Sequence, residues 1–215
     1  WISPRYQSFD GWVSFFAILV ISAGILACGW FAVKADRSLT LPRWLLWLLI
    51  GAVVLRLGAG IFWYLALPAW GYGSQVERAG YVMSDAFGRD IAAWELASSK
   101  DPLINAFSGY REVDQYGGLL YLSAVWYRYF GGVSHMPLQM VVLSATVAAL
   151  AVLFGWAFTQ TVWGKKNSRL VAWIIALFPD AILLGSSQMR EAFLMTLVAS
   201  ACYGLAIFWK NRGWR

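Results

Sequence analysis

Long apolar runs dominate the pattern of this chain, and they are too long for the strands or amphipathic helices of a water-soluble core. Gly11 to Val33 carries no charge, Trp44 to Gly73 carries only Arg56, and Pro137 to Trp163 carries none. A helix that crosses the hydrocarbon layer needs about 20 mostly apolar residues at about 1.5 Å each, and all three runs reach that length. Leu170 to Gln188 is broken only by Pro179 and Asp180, and Ala192 to Trp209 is an uncharged run of 18, which supplies a fourth and a fifth span. Leu119 to Phe130 is shorter and contains Arg128, so the pattern leaves it open between a short span, a re-entrant helix and an interfacial one. The predicted fold is all-α, a polytopic transmembrane bundle of five spans plus one short helix over 118–131. It forms a single membrane domain with spans at 11–33, 44–73, 137–163, 170–188 and 191–209.

Composition sharpens this picture. Hydrophobic residues make up 60% of the chain and charged ones 13%, roughly half the charged share of an ordinary soluble domain. Many of the 14 tryptophans lie near the ends of apolar runs, among them Trp12, Trp30, Trp44, Trp70, Trp163 and Trp209, the placement of an interfacial aromatic belt. Cys28 and Cys202 fall inside apolar spans, which argues against a structural disulfide. Gly11 to Val33 is longer than a signal-peptide core and lacks a small-residue cleavage site, so it reads as a retained anchor.

The formal charge of +6 is a matter of topology and does not mark a nucleic-acid site. Lys34, Arg37 and Arg43 follow the first span, Lys165, Lys166 and Arg169 precede the fourth, and Lys210, Arg212 and Arg215 close the chain. The positive-inside rule places all three clusters in the cytoplasm. The segment 75–117 has seven acidic residues against four basic ones and belongs outside, in a plasma (inner) membrane reading. These assignments agree if 118–131 does not fully cross; six spans are the alternative count.

Within that outer segment, Ser84 and Asp85 read as a helix start, because such side chains accept bonds from unpaired first-turn N–H groups. The helix runs over 84–98. Phe87, Ile91 and Trp94 form a short apolar stripe suited to the membrane surface, with Asp85 and Arg89 on the opposite side; Leu96 on the polar side makes the amphipathicity imperfect. A carboxylate at the head of such a helix is placed to meet a reaction at headgroup level. The plainer reading is that Asp85 only caps the helix.

Three segments resemble, in family order, the polytopic GT-C glycosyltransferases of the protein O-mannosyltransferase and aminoarabinose-transferase-like group. SDAFGRDIAAWELASSKDPL is similar to the group's D-E-x-x-Y-x-x-x-A-x-x-L, with Asp85, Ala93 and Leu96 in register and Pro102 at the closing proline. DQYGGLLYLSAVWYRYFGG looks like the group's D-P-P-L-Y element, matching at Tyr127, Phe130 and Gly131, with Asp114 one residue out of register. LFPDAILLGSSQMREAFLMTLVASACYGL resembles the L-x-P…R-E/D element and places Pro179, Arg190 and Glu191. The second acid of the opening pair is Ala86 here, and the tyrosine position is Arg89. Family members continue past the fifth core element, so the match is to the N-terminal part of such an enzyme.

The resemblance implies transfer of a sugar from a polyprenyl-phosphate donor to an extracytoplasmic acceptor, with inversion at the anomeric carbon; the lipid-linked sugar is the donor substrate, no cofactor is assigned besides it, and no residue is singled out as a metal ligand. Asp85 would be the catalytic base, within hydrogen-bond reach of the acceptor hydroxyl. Arg89, Asp90, Asp114, Arg190 and Glu191 are the candidate substrate-binding residues. A second carboxylate, if needed, would come from Asp90, Asp114 or Glu191, and Arg190 and Arg89 suit bidentate phosphate contact. The competing expectation is an inactive structural or accessory subunit of a larger membrane complex, to which the incomplete acidic pair points. A transporter predicts charges strung through several spans and an inverted repeat, and the sequence has neither.

Arg56, near the middle of its span, must face other helices or a wet cavity, since an unpaired guanidinium there costs at least about 2.5–3.5 kcal/mol. Asp180, Arg190 and Glu191 are expected to pair or to line a polar cleft. Gly51, Ala52, Gly58 and Gly60, with Ala145, Ala148, Ala149 and Ala151, would permit close helix approach. His135, the only histidine, has no Cys or second His near it and reads as a loop residue, against a multi-His metal site or a catalytic triad. There is no Walker loop, dinucleotide fingerprint or zinc spacing.

Overall fold

The computed structural model describes the backbone of residues 4–131 and 134–211 and the side chains of those between 11 and 210. The chain is all-helical, 79% helix, with no strand among the described residues. In order the helices are α1 (Pro4–Lys34), α2 (Arg43–Trp70), α3 (Gln75–Arg78), α4 (Ser84–Ser98), α5 (Gly118–Tyr129), α6 (Pro137–Trp163), α7 (Lys165–Leu177), α8 (Pro179–Gly185) and α9 (Arg190–Asn211), with a 3-10 turn at Leu103–Phe107.

α1, α2, α6 and α9 are each long and apolar enough to cross a membrane. α7 and α8 qualify as a fifth only if the pair, bent by 53° at Phe178, is counted as one span. Trp12, Trp70, Trp163 and Trp209 all keep more than half their surface exposed at or near the ends of these helices, as belt residues do. Cys28 and Cys202 are both free thiols.

The chain divides into two compact units, one made of the chain up to Ile21 with Ile61–Val142, the other of Ser22–Gly60 with the chain from Leu143 onward. In the second unit the core joins Leu45, Leu49 and Ala52 of α2 to Ala149, Leu153 and Trp156 of α6 and Ala172 and Ala176 of α7. Small residues on α6 make this close packing: Ala145, Ala148, Ala149 and Ala151 are all buried. Gly51 and Gly58 do not share that role, because a Cβ at either would meet nothing within 4 Å.

The break between α7 and α8 follows from Pro179. Proline has no N–H, so the carbonyl of Ile175, four residues earlier, loses its helical partner. Arg56, fully buried, fills the gap: Nη2 donates to Ile175 O at 3.0 Å and Nη1 to Ala176 O at 3.3 Å and Ala52 O at 3.1 Å. Gly185 lets the guanidinium in, since a Cβ there would sit 2.7 Å from Arg56 Cδ. The cation thus faces another helix, and two of its three partners are carbonyl dipoles at the C-terminus of α7, where positive charge is favoured.

In the same unit, residues in and beside the basic clusters make contact between distant parts of the chain. The Arg169 guanidinium lies 5.7 Å from the Trp44 ring. Tyr203 of α9 donates to Asp36 Oδ2 at 3.3 Å, and Ser38 N–H donates to Oδ1 at 2.9 Å. Burial acts to raise the Asp36 carboxyl, but these bonds together with Lys210 outweigh it and hold the group below its ordinary value. Arg212 and Arg215 lie outside the described residues.

Candidate functional site

The first unit contains the segment between α2 and α6. α3 opens with a capping box in which the Ser74 hydroxyl accepts from Glu77 N–H while the Glu77 carboxylate accepts from Ser74 N–H. α4 begins differently from the sequence expectation. Met83 holds the N-cap position, no side chain caps the helix, and Ser84 and Asp85 are its first two residues. Asp85 is exposed and accepts no hydrogen bond among the described residues.

The buried face of α4 is also not the predicted one. Ala86, Arg89, Asp90, Ala92, Ala93 and Leu96 turn inward, while Phe87, Ile91 and Trp94 stay half-buried. Leu96, out of place on a polar face, belongs to the real core. The alanines allow close approach to α5, and the two charges are tolerated inside because each finds partners.

Asp90, with no exposed surface, is the best satisfied of these groups. Its Oδ1 accepts from Tyr127 OH at 2.5 Å, and its Oδ2 accepts from Tyr81 OH and, at 2.6 Å, from His135 Nε2. Trp94 covers the cluster, stacked on His135 with ring centroids 5.2 Å apart and edge-on to Tyr127. Three donors satisfy the hydrogen-bonding capacity of this buried carboxyl group, and a hydrogen bond to a charged group is worth about 1.5–3 kcal/mol. Burial, and after it the charge of Asp90, push the Tyr81 hydroxyl well above the ordinary phenol range, so Tyr81 stays a donor.

Arg89 and Asp114 form the second buried set. Arg89 Nε lies 3.5 Å from Asp114 Oδ2, both side chains almost without exposure. Asp114 also accepts from Leu120 N–H at 3.2 Å and from Tyr116 N–H at 3.4 Å. Leu120 N–H is one of the first-turn donors of α5 that have no helical acceptor, so Asp114 fixes the start of that helix from outside it. The turn in between needs Gly117: its φ is +67°, and a Cβ would sit 2.4 Å from Ala106 O. Arg128 closes the other end, donating to the carbonyls of Leu96, Ala97 and Ser99 at the C-terminus of α4.

Of the sequence-predicted residues, the structure therefore joins Arg89, Asp90 and Asp114 in one scaffold and sets Asp85 at its rim, on the same helix. Arg190 and Glu191 belong to the other unit, where Arg190 Nε lies 3.7 Å from Glu191 Oε1 at the start of α9. Asp180 is exposed at the start of α8. His135, read from sequence as a loop residue with no Cys or second His near it, does lie between α5 and α6, and its ring reaches Asp90. Tyr81 and Tyr127 carry no mark of this role in the sequence. The signal they left was Asp90 itself, since a carboxylate carried into a helix interface demands donors. Among the described residues no group of three His, Cys, Asp or Glu side chains is placed to hold a metal ion.

No family model, curated protein or solved structure matches this chain. The class that the fold defines is an all-helical protein with four or five membrane-length helices.

Proposed function

We propose that the chain is a membrane glycosyltransferase-like protein that passes a sugar from a polyprenyl-phosphate donor to an extracytoplasmic acceptor, with Asp85 as the base. The observation that carries this reading is the division of labour among the carboxylates of the α4–α5 module. Asp90 and Asp114 are spent on pinning α4 to α5, while Asp85, at the head of the pinned helix, is exposed and accepts no bond from the described residues. A base must be held rigidly by its surroundings and still be open to a substrate hydroxyl.

The topology proposed with it has five spans and an extracytoplasmic α4–α5 module in a plasma membrane. α2 and α6 run antiparallel, since Trp44 shares a cavity with Trp156 and Gln160 while Arg56 and Ala148 both meet Gly185. The antiparallel pair supports a connection that leaves and returns on one side, and α5, with 12 residues, falls short of the about 20 that a span needs.

The second reading, an accessory subunit without catalysis, is favoured by the same bonds seen from the other side: Asp90 and Asp114 are both taken up in buried contacts, and neither is left to act with Asp85. The test is turnover of polyprenyl-phosphate sugars by the full chain in liposomes, read as release of polyprenyl phosphate. Asp85→Asn, at an exposed position, should fold normally and lower the rate by about 10²–10⁴-fold. Equal rates would remove Asp85 from the base role, and no turnover by the wild-type chain would favour the accessory reading.

A further inference from the structure

A cationic cavity in the second unit lies far along the sequence from Asp85 and plays no part in the proposed transfer. It has a volume of about 570 Å³ and is lined by Trp44 at the start of α2, Trp156 and Gln160 near the end of α6, and Lys165, Lys166 and Arg169 at the start of α7. Three cations converge there and no carboxylate lines it. The first turn of α7 has no acid either, so the positive end of the helix adds to the charge instead of offsetting it.

The polar floor is ordered. The Ser168 hydroxyl, 1% exposed, donates to Gln160 Oε1 at 2.6 Å, which fixes the Gln160 side chain against α7. Arg169 is held over the Trp44 ring. Lys165 and Lys166 are exposed and have no ion-pair partner among the described residues. The arrangement is a set of cations left open on a partly aromatic wall.

We propose that this cavity binds the phosphate of an anionic membrane lipid. Phosphate matches the three cations, with Arg169 and the two lysines supplying charge and donors. The position selects a lipid over a free ion. The cavity opens where α2 begins, α6 ends and α7 begins, which is the level of headgroups for helices of membrane length, and exposed Trp163 marks the same level. Trp44 and Trp156 give the apolar wall that a glycerol backbone and the first acyl carbons need, and a free phosphate has no use for it. Basic pockets between transmembrane helices take anionic headgroups in this way.

The experiment is native mass spectrometry of the full chain in detergent, offered equal amounts of phosphatidylglycerol and phosphatidylcholine. Phosphatidylglycerol should be retained in preference, and the preference should fall about fivefold for each cation removed in Lys165→Gln, Lys166→Gln and Arg169→Gln. Lys34→Gln with Arg37→Gln, basic residues that do not line the cavity, serves as the control and should leave it unchanged. An equal loss in the control would show general surface attraction and overturn the site. Displacement of the lipid by inorganic phosphate at equal concentration would also overturn it, because the ligand would then be the free anion. Circular dichroism confirms that each variant is folded.

Discussion

Asp90 shows how a single buried charge organises its surroundings. With no solvent contact it is stable only through Tyr81, Tyr127 and His135, which lie 9, 37 and 45 residues away in sequence. No local pattern could have joined them. The place of Asp85 at a helix start was legible because it is a local feature, whereas two of the three partners of Asp90, Tyr127 and His135, come near only once α5 and the loop after it have folded back. Removing one donor tests the cluster. Tyr81→Phe should lower stability by about 1–3 kcal/mol near neutral pH, read by thermal unfolding. It should also change the alkaline limb. The Tyr81 hydroxyl is raised in the folded protein, whereas in the unfolded chain it titrates near its ordinary value of about 10. Its stabilisation is therefore fully present below about pH 10 and is lost as pH climbs further, since only the unfolded chain then releases the proton readily. The wild type should lose stability more steeply than Tyr81→Phe between about pH 10 and 11; parallel slopes would mean that the Tyr81–Asp90 bond is not formed.

The same dependence on distant partners acts on whole elements. The apolar stripe of α4 predicts a surface helix with Arg89 facing out, yet the stripe stays only half-buried and the opposite face turns inward. That burial is decided by Ala86, Ala92 and Ala93, small enough for α5 to approach, and by Asp114, which neutralises Arg89. Arg56 and Pro179 give the clearest pair. Each is visible in sequence as an anomaly in an apolar run, and the structure makes one the remedy for the other, because Arg56 donates to the carbonyl that Pro179 leaves open. In lipid each unsatisfied backbone group costs several kcal/mol. Arg56→Met should therefore lower the unfolding temperature markedly in the wild type but much less in a Pro179→Ala background, where the alanine N–H can restore the helical bond. A coupling of at least about 1 kcal/mol is expected between the two sites, and simple additivity would show that Arg56 does not serve the break.

At the scale of the molecule, the apolar runs foretold all four long helices, because membrane length is written in consecutive residues and needs no tertiary information. What they could not decide was whether 118–131 crosses, since a short half-apolar stretch with one arginine fits several placements. The antiparallel packing of α2 and α6 supports the proposed five-span arrangement, and it makes orientation testable as one all-or-none assignment. If the connection between α2 and α6 returns on the side it left, Lys100 and the whole α4–α5 module share one compartment and Asn167, at the basic end of α7, lies in the other. Both positions are exposed. In intact cells a membrane-impermeant maleimide should therefore label Lys100→Cys at once and Asn167→Cys only after permeabilisation. The wild-type chain should stay unlabelled, because Cys28 and Cys202 sit within membrane-length helices. Labelling of Asn167→Cys but not Lys100→Cys would invert the orientation and remove Asp85 from an extracytoplasmic reaction. Labelling of both in intact cells would require a second crossing between Lys100 and Asn167 besides that of α6, and would overturn the five-span arrangement itself.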